Sequence, residues 1–165
     1  MTGDLLLDMI QLAPFRRTDQ AAVKQLILDG LVEHWGFLDP TKNPDLDDIA
    51  TTYANATFLV AQSSNEIVGC GALVPHTARD AKIVRMSVKK NFRTRGIGTL
   101  ILHGLCNAAR AQGFQRVITS TTDTWHDAIA FYLRNGFHIT HQVQDGIYFE
   151  RWLNDEPSAV KRKTI

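Results

Sequence analysis

Residues 81–112 restrict the possible folds more than any other part of this chain. Ala81 to Val88 is a β-rich run, and the following loop leads through Gly96 and Gly98 directly into a helix. That helix continues to about Gln112, where Gly113 offers a C-cap. A strand delivered straight into a helix start leaves the first helical amides without intrahelical partners, pointing along the axis. Their summed dipole is equivalent to about half a positive charge at that end. Glycines let the backbone approach an anion closely and adopt conformations barred to residues with a Cβ. The run Arg93, Thr94, Arg95, Gly96, Ile97, Gly98, Thr99 is therefore suited to cradle a diphosphate, with Arg93 and Arg95 able to add charge-assisted bonds. The plainer alternative is a tight strand-to-helix turn with both arginines in water.

Other phosphate loops fit this stretch less well. A Walker loop would end in Gly-Lys-Ser/Thr, which is missing. A dinucleotide fingerprint needs a third glycine where Ile101 stands and belongs after the first strand of a βαβ unit. Here the glycines follow the fourth strand.

Strand and helix signals alternate along the rest of the chain. Gln11 to Arg17 reads as a first strand and Thr18-Asp19 as a helix start. Val23, Ile27, Leu31 and Trp35 then recur every four residues, on one helical face. Asn43-Pro44 caps a second short helix carrying Leu46, Ile49 and Tyr53. Thr57–Gln62 and Ile67–Pro75 form a hairpin around Ser63-Ser64-Asn65-Glu66. After the glycine loop and its helix come a strand at Arg116–Thr121 and a helix ending at Gly136, opened by the capping-box pattern Thr124-x-x-Asp127. Two last strands flank Asp145-Gly146. The order β-α-α-β-β-β-α-β-α-β-β predicts an α/β fold with a mixed (α+β) sheet, not a doubly wound one. The domain is expected over 11–153, with an N-terminal segment 1–10 and a polar tail 154–165.

Composition removes several classes. A length of 165 residues suits one domain. A formal net charge of +1 provides no global drive toward nucleic acid or anionic membranes, so an anion site has to be local. No apolar run approaches the length of a membrane span. Cys70 and Cys106 lack metal-ligand spacing and read as buried thiols in a reducing, cytoplasmic compartment. His138 and His141, three apart in a strand, should face opposite sides, and no metal site is expected.

Two further stretches carry a resemblance. Arg93-x-x-Gly96-x-Gly98 resembles motif A of the GNAT acetyltransferase superfamily, and Val84 to Val88 looks like the strand that precedes it there. Ala128 to Phe137, with Tyr132-x-x-x-Gly136-Phe137, resembles the motif B helix. The likeness runs from about residue 11 to 153. It implies a GNAT-like fold whose fourth and fifth strands splay apart to admit a pantetheine arm. Met86 and Val88, with Ser87 between them, would supply backbone contacts to its amides as an added strand would. Acetyl-coenzyme A is the implied cosubstrate, and Tyr132 matches the family's tyrosine general acid. The implied acceptor is an amine, on a small molecule or a protein; a homodimer is compatible with all of this.

Departures from the pattern matter too. Many members place a glutamate on the fourth strand, but Ala81 to Met86 holds no carboxylate. Trp125 stands where the family often has a cofactor-contacting asparagine, and His126 is the substitute at that helix start. Glu33, His76 and Asp80 are the nearest candidates for a base acting through water, each also explicable as an ordinary surface residue. Glu33, Asp39, Asp45, Asp47 and Asp48 make the first two helices acidic, which suits either a cationic amine or simple solvation. The competing function is a coenzyme-A-binding sensor that kept the cradle without catalysis. A nucleic-acid module using Lys89, Lys90, Arg93 and Arg95 is disfavoured by the neutral overall charge.

Overall fold

The computed structural model describes residues 2–154. The expected tail therefore lies outside the described residues beyond Asn154. A helix not anticipated from sequence, α1 (Thr2–Asp8), precedes β1 (Ile10–Pro14). Its Leu7 packs against the main core. The first strand is shorter than expected because the Arg16 amide donates to Asp19 Oδ2 at 2.8 Å, folding residues 17–19 into a 3-10 turn ahead of α2 (Gln20–Trp35). The second helical stretch is also smaller than expected, a 3-10 turn at Pro44–Leu46 followed by one helical turn, α3 (Ile49–Thr52). Leu46 and Ile49 are nevertheless fully buried, so the spacing located the right inward face.

The remaining elements are β2 (Thr57–Ser63), β3 (Glu66–Pro75), β4 (Asp80–Val88), α4 (Ile97–Ala111), β5 (Arg116–Thr122), α5 (His126–Arg134), β6 (His138–Val143) and β7 (Gly146–Trp152). They form one seven-stranded sheet in the order β1-β2-β3-β4-β5-β7-β6. Neighbours run antiparallel except β4 and β5, so the sheet is mixed as the element order predicts. One face carries α4 and α5 over a core of Ile83, Ile101, Leu105, Val117 and Phe149. The other carries α2 and α3 over Val23, Ile27, Leu46, Ile49 and Val60. Cys70 lies in the second core and Cys106 in the first, both as free buried thiols.

Two irregularities in β4 shape everything that follows. First, its ladder to β5 covers Asp80–Lys82 against Arg116–Ile118, and among the described residues no pairing to β5 continues beyond. β4 stays with β3 as far as Val88, while β5 stays with β7 as far as Thr122, so the two strands part. Arg116 pins the closed end, holding Asp80 through two bonds of 2.9 and 2.7 Å and Glu150 at 2.7 Å.

Second, β4 is bulged. Cys70 pairs with Ser87 and Ala72 with Val84, so Arg85 and Met86 together oppose Gly71. Arg85 takes φ +56°, a left-handed conformation that costs a side-chain-bearing residue about 1–2 kcal/mol. Its guanidinium is the compensation. Nε and Nη2 donate to the Asp45 carboxylate at 2.9 and 2.6 Å, both Nη atoms reach Asn43 Oδ1 at 3.2 Å, and the Tyr53 hydroxyl donates to Asp45 at 2.6 Å. Met86 Sδ fills the space above Gly71, where a Cβ would collide with it.

Burial raises the Asp45 pKa, but the bonds from Arg85 and Tyr53 outweigh it and hold the carboxyl below its ordinary value. Its stabilisation is thus present above the unfolded-state pKa and is lost as pH falls through the folded one. Asp45→Ala is expected to cost about 1–3 kcal/mol in urea unfolding at neutral pH. The deficit relative to the parent chain should shrink under acid, and a pH-independent deficit would contradict the ion-pair account.

Candidate active site

A cleft of about 1090 Å³ occupies the gap where β4 and β5 separate. Its walls come from β4, the end of β5, the start of α4, the first turns of α5 and the last turns of α2. Met86, Ser87, Val88, Arg93, Thr94, Gly96, Ile97, Gly98, Thr99, His126 and Tyr132 all line it. Residues from three separate elements and the loop joining two of them, selected from sequence, thus meet around one space. Arg95 is not among the lining residues; its guanidinium lies over the Phe92 ring, 5.9 Å from the centroid.

The cradle is a backbone structure. Thr94 (φ +61°) and Gly96 (φ +87°) both take left-handed conformations, turning the chain into α4. Gly96 is the N-cap and no side chain caps the helix, which leaves the amides of its first turn directed outward. A Cβ on Gly98 would stand 3.1 Å from the Phe131 ring, so this glycine also lets α4 and α5 approach. Thr99 donates to Asn135 at 3.2 Å and ties the same two helices.

Arg93 is committed elsewhere. Its Nη atoms donate to both Glu33 oxygens at 2.8 and 2.9 Å, and its Nε to the Val88 carbonyl at 2.9 Å. The bond from Arg93 is the largest influence on Glu33 and holds its pKa below the ordinary value. Glu33 lines the cleft but is for that reason a weak base. Asp80 sits at the closed end of the splay, paired to Arg116, and neither it nor His76 is a lining residue.

Tyr132 is 6% exposed and packs against Phe131, Phe137 and Phe149 at centroid distances of 5.2, 5.4 and 5.5 Å. It is at once a core aromatic and a lining residue of the cleft. Burial, offset in part by the Thr119 hydroxyl, pushes its pKa up to about 12. The Thr119 hydroxyl itself donates to the Ile83 carbonyl at 3.0 Å, across the point where β4 and β5 separate.

Several side chains fall differently from the sequence reading. The helical stripe Val23, Ile27, Leu31, Trp35 leaves the core at its last member: Trp35 is 44% exposed and lines the cleft. The capping box does not form, because α5 starts at His126 with Trp125 as N-cap and no side-chain cap bond. The Thr124 hydroxyl instead meets His34 Nε2 at 3.2 Å. His34 stacks on Trp125 at 4.0 Å with rings 3° from parallel, and meets Trp35 edge-on at 4.6 Å. Sequence reasoning missed His34 altogether. The contacts that define it join residues 90 positions apart, beyond any periodicity or motif.

The acidic patch also changes meaning. Glu33 is bound by Arg93, Asp45 by Arg85, Asp47 by Lys24, and Asp39 and Asp48 by the amides and hydroxyls of Thr41 and Thr51. Finally, His138 and His141 share one face. A bulge at Thr140 sets His138 opposite Glu150 and His141 opposite Tyr148, two β7 residues on the same side. Even so, among the described residues no group of three or more metal-binding side chains is gathered.

The mixed sheet splays beside a strand–glycine loop–helix turn, both opening on one cleft, and comparison with known proteins places this architecture. Residues 22–137 match the family model described as the acetyltransferase (GNAT) family, and the chain belongs to that family. It is 32% identical over 105 residues to N-acetyltransferase 8F1 of Rattus norvegicus, covering 59% of this chain and 48% of that one. It is 34% identical over 120 residues to the IAA acetyltransferase of Azospirillum brasilense, covering 72% and 78%. The chain thus spans about half the length of the rat protein it matches. Among solved structures, its fold is similar to a GNAT-family acetyltransferase of Staphylococcus aureus Mu50, with TM-score 0.80, 23% identity and coverage of 87% and 99%. It is also similar to the PaiA N-acetyltransferase of Thermoplasma acidophilum in complex with coenzyme A, with TM-score 0.76, 16% identity and coverage of 87% and 98%.

Proposed function

We propose that this chain is an acetyl-coenzyme-A-dependent N-acetyltransferase that moves the acetyl group to an amine by direct attack. The observation that carries the reading is the stretch of β4 that has left β5, running into an uncapped helix start, both on one cleft. Free strand-edge groups suit pantetheine amides, and the outward amides of Gly96, Ile97, Gly98 and Thr99 suit a pyrophosphate. The left-handed turn at Gly96 is the fit expected of such a cradle, since a side chain there would be strained. The names of the relatives and the coenzyme A in the Thermoplasma neighbour point the same way.

The thioester supplies the acetyl group and the leaving thiolate. An alkylammonium of pKa about 10.4 is roughly 0.04% neutral at pH 7, so the acceptor must shed a proton before attack. Glu33 is tied to Arg93 and His34 Nε2 to the Thr124 hydroxyl, which leaves the lining imidazole of His126 as the ring-nitrogen acceptor for it. Tyr132 is read as the donor facing the departing sulfur. With its pKa at about 12 it stays protonated at neutral pH, and its role is a hydrogen bond rather than complete transfer. Among the described residues no helix is long and apolar enough to cross a membrane. The two buried free thiols suit the reducing cytoplasm.

The test is incubation with acetyl-coenzyme A and a panel of amines, following thiol release and product mass. One acetylated amine per thiol released is expected. Binding of acetyl-coenzyme A with no turnover on any acceptor would favour the sensor reading.

A further inference from the structure

Building on the acetyl-transfer reading, we propose that the acceptor is a primary amine bearing an aryl group, whose ring packs on the wall formed by His34, Trp35 and Trp125. These side chains all line the cleft and bridge it. His34 and Trp35 end α2, which crosses β4 so closely that a Cβ on Gly30 would stand 3.4 Å from Ser87 Oγ. Trp125 opens α5 just beyond the end of β5. The His34–Trp125 stack, with rings 3° from parallel, therefore straps the gap between the separated strands. The Thr124 hydroxyl at 3.2 Å fixes the imidazole, and Trp35 stands edge-on to it. A rigid wall of parallel and perpendicular rings favours a planar ring as partner, through stacked and edge-to-face contacts.

Exposure supports an absent partner at this place. Trp35 is 44% exposed and the chain continues into Phe37 and Leu38, at 68% and 39%. Of these, Trp35 is both exposed and a lining residue of the cleft, and apolar surface at such a place marks a ligand site more than scattered single residues do. Among the described residues, charge offers a cation one lining carboxylate outside an ion pair. Of the five acids in this region only Glu33 lines the cleft, and it is bound to Arg93. The other lining carboxylate, Asp127, is exposed in the first turn of α5, where it complements the helix dipole.

Mechanism points the same way. The attacking nitrogen must be neutral, whereas a cation held over aromatic faces is favoured in its charged form. The wall therefore holds the remainder of the acceptor and leaves its nitrogen free.

The test uses the full chain with acetyl-coenzyme A and four amines: phenethylamine, its saturated analogue cyclohexylethylamine, butylamine and spermidine. Phenethylamine is expected to have the highest kcat/KM, exceeding cyclohexylethylamine by about twofold to tenfold. Trp35→Ala should raise its KM about tenfold and leave the Kd of acetyl-coenzyme A within about twofold, while Trp35→Phe retains most of the preference. Equal or better turnover of spermidine or butylamine would overturn the assignment. So would an unchanged KM in Trp35→Ala together with a changed oligomeric state, which would make the rim a self-association face. If acetyl-coenzyme A binds but no amine turns over, quenching of tryptophan emission by phenethylamine in the presence of coenzyme A still supports the aryl site, and its absence refutes it. Failure to bind acetyl-coenzyme A would instead remove the acetyl-transfer reading itself.

Discussion

Gly96→Val is expected to weaken acetyl-coenzyme A binding by about ten- to a hundredfold in isothermal titration calorimetry, and Arg95→Ala by less than about threefold. At φ +87° a β-branched residue is strained, and relief of the strain would rotate the amides that follow. Losing one hydrogen bond to a charged group costs about 1.5–3 kcal/mol, which sets the range. Gly98→Val should give a similar loss by another route. Its Cβ would press on Phe131, which precedes Tyr132 on α5, and force the two helices apart. Arg95 starts from a position over Phe92, outside the cleft lining, and has little to lose. Arg93→Ala should fall between, because it frees Glu33 and the Val88 carbonyl without altering the turn. Thermal melts of each variant separate lost binding from lost folding. Arginine losses equal to the glycine losses would show that side-chain charge dominates the site.

The second large effect concerns Tyr132. Tyr132→Phe is expected to lower kcat by about tenfold or more while changing KM and Tm little, since the ring contacts are kept. The reason lies in the burial that lifts the hydroxyl to about 12. Against a reference thiol of about 8.5, full proton transfer would be uphill by roughly 4–5 kcal/mol, so the contribution we propose is a hydrogen bond to the developing thiolate. Unchanged turnover, with chemistry shown to be rate-limiting, would reduce Tyr132 to a core aromatic. The same burial has a signature in stability. An unfolded tyrosine titrates near 10, so between about pH 10 and 12 the folded chain keeps a proton that the unfolded chain gives up. Stability should therefore fall as pH rises through that window, and Tyr132→Phe should lack this part of the fall.

Much of the architecture was written locally. The hairpin turn at Ser64 and Asn65 takes positive φ at both positions, and Gly113 and Gly136 end their helices with φ of +84°. Turn and cap chemistry is decided within a few residues, which is why the order of elements could be read along the chain. The cradle was legible for the same reason, since strand, glycines and helix start are contiguous from Val88 to Thr99. Periodicity did less well at its margins. It placed Val23 and Ile27 inside but carried Trp35 with them, because a 3.6-residue period records direction around a helix and not where the core ends.

Sequence by itself thus determined the mixed α/β order, the glycine turn from β4 into α4 and the position of Tyr132 on its helix. Tertiary structure alone decided what the charged and aromatic side chains do there. It spent Arg93 on Glu33, 60 residues away, and bound Asp45 to Arg85 from 40 residues away across a bulge that no local pattern announces. It turned His138 and His141 to one face through a single extra residue in β6, and it brought His34 against Trp125. The physical reason is reach. Backbone conformation follows short-range sterics and hydrogen bonds, whereas an exposed charge or ring is free to choose a partner until the fold delivers one.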